Sequence, residues 1–373
     1  MINLFNMKSR LVSFHSTMGA FQIKETLIPE LKENEILVRN EFTTLCRSDL
    51  YTYAGIRKEK DPTILGHEIV GRVAKIFNNN PFYDLRGNEI NVGDRITWAI
   101  FASDPNSERS KKGIPQKSAD LFKYGHEEIT DDNNLHGGLS EYIILRRNTP
   151  ILKINENVPV EVAAIVNCAI ATVAGSFRLA GEIAGKNILI CGSGMLGIIA
   201  VAMASSQKAK SIVVVDIKEE RLQAALQFGA LETLLIENGR QDLNELYKKK
   251  YGKNSNIDCV IDFSGSPDAI ESCIEILTIG GIAILIGSIF PQRKISIDAE
   301  QIVRKVLTIK GLHNYNLQDF LSAVHFIENY HAAFPFKSLI RNTFFNLENV
   351  EAAFQSAIDE QYFRVGVYTC FKD

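Results

Sequence analysis

Asn187-Ile188-Leu189-Ile190-Cys191-Gly192-Ser193-Gly194-Met195-Leu196-Gly197 decides the fold of this chain, because an apolar run passes directly into glycines spaced G-x-G-x-x-G. A strand that enters a glycine turn and then a helix is typical of a phosphate-binding crossover in a parallel sheet. Gly192 would allow the tight turn, Gly194 would let the backbone approach a pyrophosphate, and Gly197 would permit close packing of the helix. Because helix N-terminal amides favour anions, the stretch predicts a dinucleotide site.

A carboxylate follows at the end of the next apolar run. Residues 211–215 read Ser-Ile-Val-Val-Val, and Asp216 stands nineteen positions after Gly197. A carboxylate there can accept the ribose hydroxyls of an adenosine, and its charge repels a 2'-phosphate, so the pattern favours NAD over NADP. Taken alone, the glycines could form an ordinary turn and Asp216 could be a solvated strand-end residue. Their order along the chain favours the cofactor interpretation.

Composition excludes several classes of function. The 373 residues are enough for two domains, and the formal charge of −3 offers no basic surface for nucleic acid. No apolar run is long enough to span a bilayer, and residues 1–5 lack a secretory leader pattern, so we expect a cytoplasmic protein without a membrane partner. The six cysteines are scattered, which indicates reduced thiols.

The periodicity of apolar residues divides the chain into regions. Short alternating strands broken by turns are expected in the first third, at 36–39, 69–76 and 95–99. Residues 102–136 are polar and predict a long excursion over the surface. From about Val162 to 308, helical and strand-like runs alternate, which indicates a parallel sheet. A helix near 318–328 and a strand at 364–370 follow, in a segment too short to predict a separate domain.

Three side chains far apart in the sequence form a possible metal site. Cys46, His67 and Cys168 would offer two thiolates and one imidazole, which leaves a tetrahedral zinc ion one open position, as in catalytic sites. Dispersed ligands cannot be recognised by spacing. Singly, Cys168 could be a small core residue and His67 a satisfied loop histidine.

The chain nevertheless resembles a known family. The similarity rests on Cys46-Arg47-Ser48-Asp49, Gly66-His67-Glu68-Ile69-Val70-Gly71, Val92-Gly93-Asp94-Arg95, Gly138-Leu139-Ser140-Glu141-Tyr142, the glycine motif and Phe228-Gly229-Ala230, in that order. On these motifs it is similar to the zinc-dependent medium-chain alcohol dehydrogenases. The resemblance implies an α/β chain in which a Rossmann doubly wound parallel sheet is inserted into a β-rich GroES-like catalytic domain. The expected boundaries are 1–157 and 309–373 for the catalytic domain and 158–308 for the Rossmann domain.

The resemblance also implies roles for individual residues. Cys46, His67 and Cys168 match the catalytic zinc ligands, and Glu68 matches a carboxylate that can approach the metal. Asp49 matches an acid on the second imidazole nitrogen of the histidine ligand, where it would fix the tautomer. Other matched positions are Ser48 for proton transfer, Thr172 for the nicotinamide, Arg221 for the adenosine ribose and Arg364 for the pyrophosphate.

These positions imply a reaction. The chain would transfer hydride between an alcohol, or the matching aldehyde or ketone, and NAD(H), with a zinc-bound alkoxide as intermediate. Two alternatives stay open: a zinc-free reductase of the quinone or enoyl type, and a non-catalytic dinucleotide-binding protein. Neither alternative needs Cys46 or Cys168. The expected partners are a small-molecule alcohol or carbonyl substrate and copies of the same chain, in a homodimer or homotetramer.

Two departures from the family pattern change these expectations. Many members bind a structural zinc through four cysteines spaced C-x2-C-x2-C-x7-C, and this chain has a carboxylate and three hydroxyls there, Asp104, Ser107, Ser110 and Ser118. Neutral serine is a poor zinc ligand, so we expect one zinc per chain, without the structural ion. Tyr51 replaces the histidine that ends a proton relay in some members, which leaves the exit of the proton open.

Two short stretches bear on the identity of the substrate. Residues 113–118 and 123–127 resemble a branch proposed to accompany phosphonate catabolism. Lys117, Lys123 and His126 could meet an anionic substrate, although a polar surface loop is the more ordinary interpretation.

Overall fold

The computed structural model describes residues 7–237, 243–252, 256–359 and 362–370, so residues 1–5, on which the expectation about a leader rests, lie outside the described residues. The chain divides into two compact units. The first contains residues 1–168, 316–331 and 336–373, and the second contains 169–315 and 332–335. Among the described residues, no helix combines the length and apolar character that a bilayer crossing requires.

The N-terminal part of the first unit consists mainly of short strands, in keeping with the alternating apolar pattern. Its helices are α1 (Arg47–Tyr53), α2 (Glu108–Lys111) and α3 (Val160–Ala164). Its strands are β1 (Lys8–His15), β2 (Ala20–Leu27), β3 (Glu35–Thr44), β4 (Glu68–Phe77), β5 (Phe82–Tyr83), β6 (Glu89–Ile90), β7 (Arg95–Trp98), β8 (Phe101–Ala102), β9 (Phe122–Lys123), β10 (Tyr142–Leu145) and β11 (Ile151–Lys153).

The pairing of β3 with β4 is the contact that positions the site. The two strands run antiparallel from Glu35 opposite Phe77 to Thr44 opposite Glu68. The end of β3 therefore lies beside the start of β4. Apolar side chains on both strands, including Val38 and Ile69, are fully buried, and this burial specifies the register.

The second unit confirms the predicted parallel sheet. Six strands run parallel in the order β14-β13-β12-β15-β16-β17, the doubly wound order in which strands are added first on one side of β12 and then on the other. The strands are β12 (Asn187–Cys191), β13 (Ser211–Asp216), β14 (Glu232–Leu235), β15 (Ile257–Asp262), β16 (Leu277–Leu285) and β17 (Thr308–Gly311). The helices are α4 (Ala171–Ala180), α5 (Met195–Ser206), α6 (Glu219–Gln227), α7 (Leu243–Tyr251), α8 (Pro267–Ile276) and α9 (Ala299–Lys305).

The C-terminal part of the chain returns to the first unit. It contains α10 (Leu317–Tyr330), β18 (Ile340–Asn346), α11 (Val350–Ile358) and β19 (Arg364–Tyr368). Strand β19 pairs with β3 on one side and with β18 on the other. The first unit thus takes its sheet from both parts of the chain, so the predicted fold class, a doubly wound sheet inserted into a β-rich domain, is confirmed.

One local expectation was wrong. Residues 102–136 do not stay on the surface, because Tyr124 and His136 are almost completely buried. Polar composition predicted exposure, but Tyr124 packs with Trp98 in an apolar cluster of the first unit.

Candidate metal centre and dinucleotide site

Three predicted metal ligands converge in the first unit. One ligand atom from each of Cys46, His67 and Cys168 lies within 4.8 Å of the other two. Cys46 lies two residues after the end of β3, and His67 directly precedes β4. The antiparallel pairing of these two strands therefore brings Cys46 and His67 together. Cys168 reaches the same place from Val166–Ile170, one turn of π-helix between α3 and α4.

Asp49 orients the histidine of this cluster. Its Oδ1 lies 3.2 Å from Nδ1 of His67, and the carboxylate is fully buried. The same group accepts hydrogen bonds from the backbone N–H of Cys46 at 2.8 Å and of Gly66 at 3.1 Å. Although burial opposes it, Asp49 raises the pKa of His67 well above its ordinary value. An Nδ1–H held by Asp49 leaves Nε2 as the nitrogen that can bind a metal.

A buried ion pair between Arg364 and Glu68 lies next to Cys46. Arg364 donates from Nε to Glu68 Oε2 at 2.8 Å and from Nη2 to Glu68 Oε1 at 3.0 Å, and Thr44 Oγ1 donates to Glu68 Oε2 at 2.6 Å. Nη2 of Arg364 also lies 3.6 Å from the Cys46 sulfur. A hydrogen bond from Cys168, and after it the charge of Arg364, hold the pKa of Cys46 well below that of an ordinary thiol. The structure therefore places Arg364 in the first unit beside the ligand cluster, while its expected contact with pyrophosphate stays a prediction.

The chemistry of this donor set fits zinc. Two sulfurs and one imidazole nitrogen supply three of four tetrahedral positions, and a catalytic site keeps the fourth position for water or substrate. The lowered pKa of Cys46 favours the thiolate, which is the form that binds metal. Ser48 Oγ lies 3.5 Å from Nε2 of His67, so a hydroxyl borders the same space.

The glycine motif has the backbone that its sequence predicts. Gly192 has a φ of +89°, where a side chain would be strained, and a Cβ on it would lie 2.8 Å from the backbone nitrogen of Ser264. A Cβ on Gly197 would lie 1.9 Å from the Gly192 carbonyl oxygen, so α5 can pack this close only with glycine there. A Cβ on Gly194 would meet nothing within 4 Å, which leaves open space at the N-terminus of α5. These features fit a bound pyrophosphate.

Asp216 ends β13 and is tied to the glycine loop. Its Oδ2 accepts from the Ser193 backbone N–H at 2.6 Å and from the Ser193 hydroxyl at 2.9 Å. Its Oδ1 accepts from the backbone N–H of Ile217 at 2.7 Å. Arg221 lies on α6, the helix that follows, and Thr172 lies at the start of α4. The second unit thus brings the glycines and Asp216 together.

The lobe expected to lack a structural metal is held by hydroxyl groups. Ser107 Oγ lies 2.9 Å from both Ser110 Oγ and Ser118 Oγ, and the latter two hydroxyls are 3.3 Å apart. Ser110 Oγ donates to the Asp104 carbonyl at 2.8 Å. The four positions therefore converge, and hydrogen bonds connect them.

Sequence reasoning did not find that His126 lies beside His67. The ring centroid of His126 lies 5.1 Å from that of His67, and Nδ1 of His126 lies 3.1 Å from Glu59 Oε1. Nε of Arg57 is paired with the same Glu59 oxygen at 2.5 Å. Tyr51, the substitution in the expected relay, accepts a hydrogen bond from Arg47 Nε at 3.0 Å. The contacts of His126 with His67 and Glu59 join residues far apart in the sequence, so no local sequence pattern indicates them.

Two known protein families match this chain, one mainly in each of the two units. The family described as "Alcohol dehydrogenase GroES-like domain" matches residues 32–156, and the family described as "Zinc-binding dehydrogenase" matches residues 196–329. An L-threonine 3-dehydrogenase of Deinococcus deserti is 26% identical over 311 residues, which is 82% of this chain and 83% of the relative.

Solved structures share the fold. An alcohol dehydrogenase from Thermotoga maritima has a TM-score of 0.89 at 24% identity, covering 98% of this chain and 100% of its own. A zinc-binding dehydrogenase from Sinorhizobium meliloti, described as bound to NADP, has a TM-score of 0.83 at 20% identity, covering 97% of this chain and 100% of its own. The comparisons give no support to the phosphonate branch suggested by residues 113–127.

Proposed function

We propose that the chain is a member of the zinc-binding medium-chain alcohol dehydrogenases and that it transfers hydride between an alcohol, or the matching aldehyde or ketone, and NAD(H). The observation that carries this proposal is the convergence of Cys46, His67 and Cys168. A zinc-free reductase or a passive dinucleotide-binding protein would have no use for these three side chains together. Their meeting therefore favours the metal-dependent dehydrogenase.

Cys46, His67 and Cys168 would hold one zinc ion, which when bound supplies a Lewis acid that stabilises negative charge on a substrate oxygen. Asp49 keeps the proton of His67 on Nδ1 through its contact at 3.2 Å, so the ligand nitrogen stays available. Arg364 balances the charge of Glu68 and favours the Cys46 thiolate. Ser48 Oγ would accept the proton of the substrate hydroxyl and pass on its own.

The second unit would bind the cofactor that accepts the hydride. Gly192, Gly194 and Gly197 would take the pyrophosphate, with the N-terminal amides of α5 directed at it. Asp216 would bind the adenosine ribose, and Arg221, Thr172 and Arg364 would contribute at the positions that the family resemblance gives them. A negative charge at the end of β13 supports NAD rather than NADP.

The test measures zinc and turnover on the same samples. Purified wild-type protein should contain one zinc per chain by elemental analysis, and it should reduce NAD in the presence of some member of a panel of alcohols. Cys46→Ser should lose both the metal and the activity, because a neutral hydroxyl cannot replace a thiolate ligand. Tyr51→Phe, a nearby change outside the ligand set, should keep the metal.

Each alternative has its own outcome in this experiment. Turnover of a quinone or enoyl substrate by protein without zinc would favour the zinc-free reductase. Tight NAD binding with no turnover of any alcohol or carbonyl by the zinc-loaded protein would favour a binding protein. Either result would contradict the proposed dehydrogenase. A small-molecule substrate and a homodimer or homotetramer remain part of the proposal.

A further inference from the structure

A second pair of a histidine and a carboxylate lies beside the metal ligands in the first unit. Nδ1 of His126 is 3.1 Å from Oε1 of Glu59, just as Nδ1 of His67 is 3.2 Å from Oδ1 of Asp49. The centroids of the two imidazole rings are 5.1 Å apart. The metal ligand His67 therefore has, as its direct neighbour, a ring of the same kind that is held in the same way.

The backbone before His126 holds this histidine in place. Gly125 has a φ of +79°, a conformation that favours glycine. A Cβ on Gly125 would lie 2.5 Å from the Gly66 carbonyl oxygen and 3.1 Å from Cβ of His67, so the loop can approach the metal ligand this closely only with glycine there. Close packing of the backbone, and not the reach of a long side chain, therefore places His126 against His67.

Glu59 is held in turn, so it fixes the orientation of the His126 ring. Nε of Arg57 forms an ion pair with the same Glu59 oxygen that contacts Nδ1 of His126. The Arg57 backbone N–H donates to the Tyr51 carbonyl at 3.0 Å, which ties this loop to α1. Because Nδ1 is bound to the carboxylate, Nε2 is the nitrogen of His126 that can meet a ligand.

Nε2 of His126 has no hydrogen bond to any residue in the part of the chain that the structure describes. The side chain is nevertheless only 8% exposed. Both ring nitrogens of the buried His136 are sealed from water, whereas Nε2 of His126 stays open to it. A polar atom of a nearly buried side chain is usually hydrogen-bonded, and leaving it without a partner costs free energy. The nitrogen is therefore available to a polar atom of a bound substrate.

We propose that His126 determines specificity by forming a hydrogen bond from Nε2 to a second hydroxyl group of the substrate, so that the enzyme prefers a vicinal diol or a polyol to a simple alcohol. The inference rests on the proposed dehydrogenase function and names its substrate class. The reacting oxygen would lie beside His67 and the second oxygen beside His126, and the rings of these two histidines are in contact. Neighbouring carbons of a diol hold their oxygens close enough for both. A hydroxyl can donate to or accept from an imidazole nitrogen.

The first experiment compares propylene glycol with sec-butanol on the zinc-loaded, full-length enzyme with NAD. The two alcohols have nearly the same shape and differ by a hydroxyl in place of a methyl group, so the ratio of their kcat/KM values reports the second hydroxyl alone. We expect the diol to be preferred. His126→Phe should lower the diol-to-butanol ratio by about tenfold or more, because the site loses its hydrogen-bond partner. His126→Gln, whose amide can take the place of Nε2, should retain most of the ratio.

Zinc content shows whether a substitution has damaged the metal centre instead. His126→Phe should keep one zinc per chain by elemental analysis, since His126 is not one of the three clustered ligands. His325→Phe changes an exposed histidine on α10 and should alter neither the ratio nor the metal. A diol-to-butanol ratio that is the same in zinc-loaded His126→Phe and in the wild type would overturn the proposal.

A binding measurement separates this inference from the function on which it rests. In zinc-loaded protein labelled at its histidines, the NMR signal of the His126 Nε2 should shift with propylene glycol and stay in place with sec-butanol. The signal is identified by its loss in His126→Gln. This measurement uses the wild type, so it decides the question even if His126→Phe loses its zinc.

The two proposals fail in different ways. If no alcohol is oxidised but propylene glycol shifts the His126 signal, the dehydrogenase function is wrong and the hydroxyl site stands. If alcohols are oxidised but the diol leaves this signal unchanged, the dehydrogenase function stands and His126 has no part in the choice of substrate.

Discussion

Asp49 combines two tasks at the metal centre, because one oxygen contacts His67 and the other caps helix α1 at the Cys46 backbone N–H. We predict that Asp49→Asn, which preserves the shape but removes the charge, lowers zinc affinity by about 10- to 100-fold, as is usual for carboxylates behind a histidine ligand. Competition with a chromogenic chelator measures this directly.

Asp319 offers a matched control for that substitution. It is also a buried carboxylate that caps a helix, since it accepts the Asn316 backbone N–H at 2.9 Å at the start of α10. Asp319→Asn should lower the melting temperature about as much as Asp49→Asn does, because both remove the charge of a helix cap. It should leave zinc affinity unchanged. Equal zinc affinities in the two variants would mean that Asp49 is only a helix cap.

Asp216 carries the prediction on cofactor choice. At about 4 Å, two like charges repel by about 1 kcal/mol in water and by about 4 kcal/mol near a protein surface. Asp216→Asn keeps an acceptor for Ser193 but removes this repulsion, so the kcat/KM ratio of NAD to NADP should fall by about tenfold or more. Glu219→Gln, an exposed change on the next helix, should leave the ratio as in the wild type. An unchanged ratio in Asp216→Asn would assign this carboxylate to the loop alone.

At the scale of single residues, the chemical role of a side chain could be predicted from the sequence better than the residues that it contacts. Cys46, His67 and Cys168 carry donor atoms that only a few functions need, and the family motifs singled them out. The pairing of Arg364 with Glu68 joins positions 296 residues apart, and no local pattern reports such a contact. The same holds for His126 beside His67, since side chains on a returning loop meet only after the fold has formed.

At the scale of elements, the serine lobe gives a prediction about metal content. The hydroxyls of Ser107, Ser110 and Ser118 lie 2.9 to 3.3 Å from one another, closer than the roughly 3.8 Å between sulfurs around a tetrahedral zinc with Zn–S of about 2.3 Å, so the three side chains already point to one place. We expect the wild type to bind one zinc per chain. The combined variant Asp104→Cys, Ser107→Cys, Ser110→Cys and Ser118→Cys should bind two, measured by elemental analysis.

The control for this variant is the single change Ser118→Cys, which adds a thiol without completing a ligand set and should keep one zinc. Two zinc ions in the wild type would contradict the prediction of a single catalytic ion. One zinc in the fourfold variant would mean that the lobe cannot close around a metal.

Helices and strands could be predicted from the sequence where the pattern of apolar residues is unambiguous. The apolar runs of β12 and β13 lie in the interior of a parallel sheet and are therefore continuously buried, as their sequences indicate. Strand β2 has no buried residue and, among the described strands, pairs only with β1, so its sequence carries little sign of its structure. The π-helical turn at Val166–Ile170 was equally invisible, because almost all residues around it are apolar and buried, so no change of helical period can be read from the sequence.

At the scale of the whole molecule, the hardest feature to predict is that the chain leaves its first unit and returns to it. Strand β19 lies between β3 and β18, so a sheet begun near residue 35 is completed only near residue 368. Local propensity identifies β19 as a strand but does not choose its partner. Resemblance to a family supplied that information, and the structure then confirmed it.

The stability of the whole molecule should depend on pH through His136. This side chain is almost completely buried, and neither ring nitrogen has a hydrogen-bond partner among the described residues. Burial, and after it the charge of Arg146, lowers the pKa of His136 from 6.5 to about 3. Between these values the unfolded chain binds a proton that the folded chain does not, so stability falls as pH is lowered through this window. At about 1.36 kcal/mol per pH unit, the loss is on the order of 5 kcal/mol across the full range.

The measurement is the free energy of unfolding in urea at a series of pH values below 6.5. His136→Phe removes the titrating group but keeps an aromatic ring in the core, so its stability should fall less steeply with acidification than that of the wild type. His325→Phe changes an exposed histidine on α10 and should follow the wild-type slope. The same slope in His136→Phe and the wild type would mean that other groups cause the acid sensitivity, and that His136 is protonated or hydrogen-bonded in the folded protein.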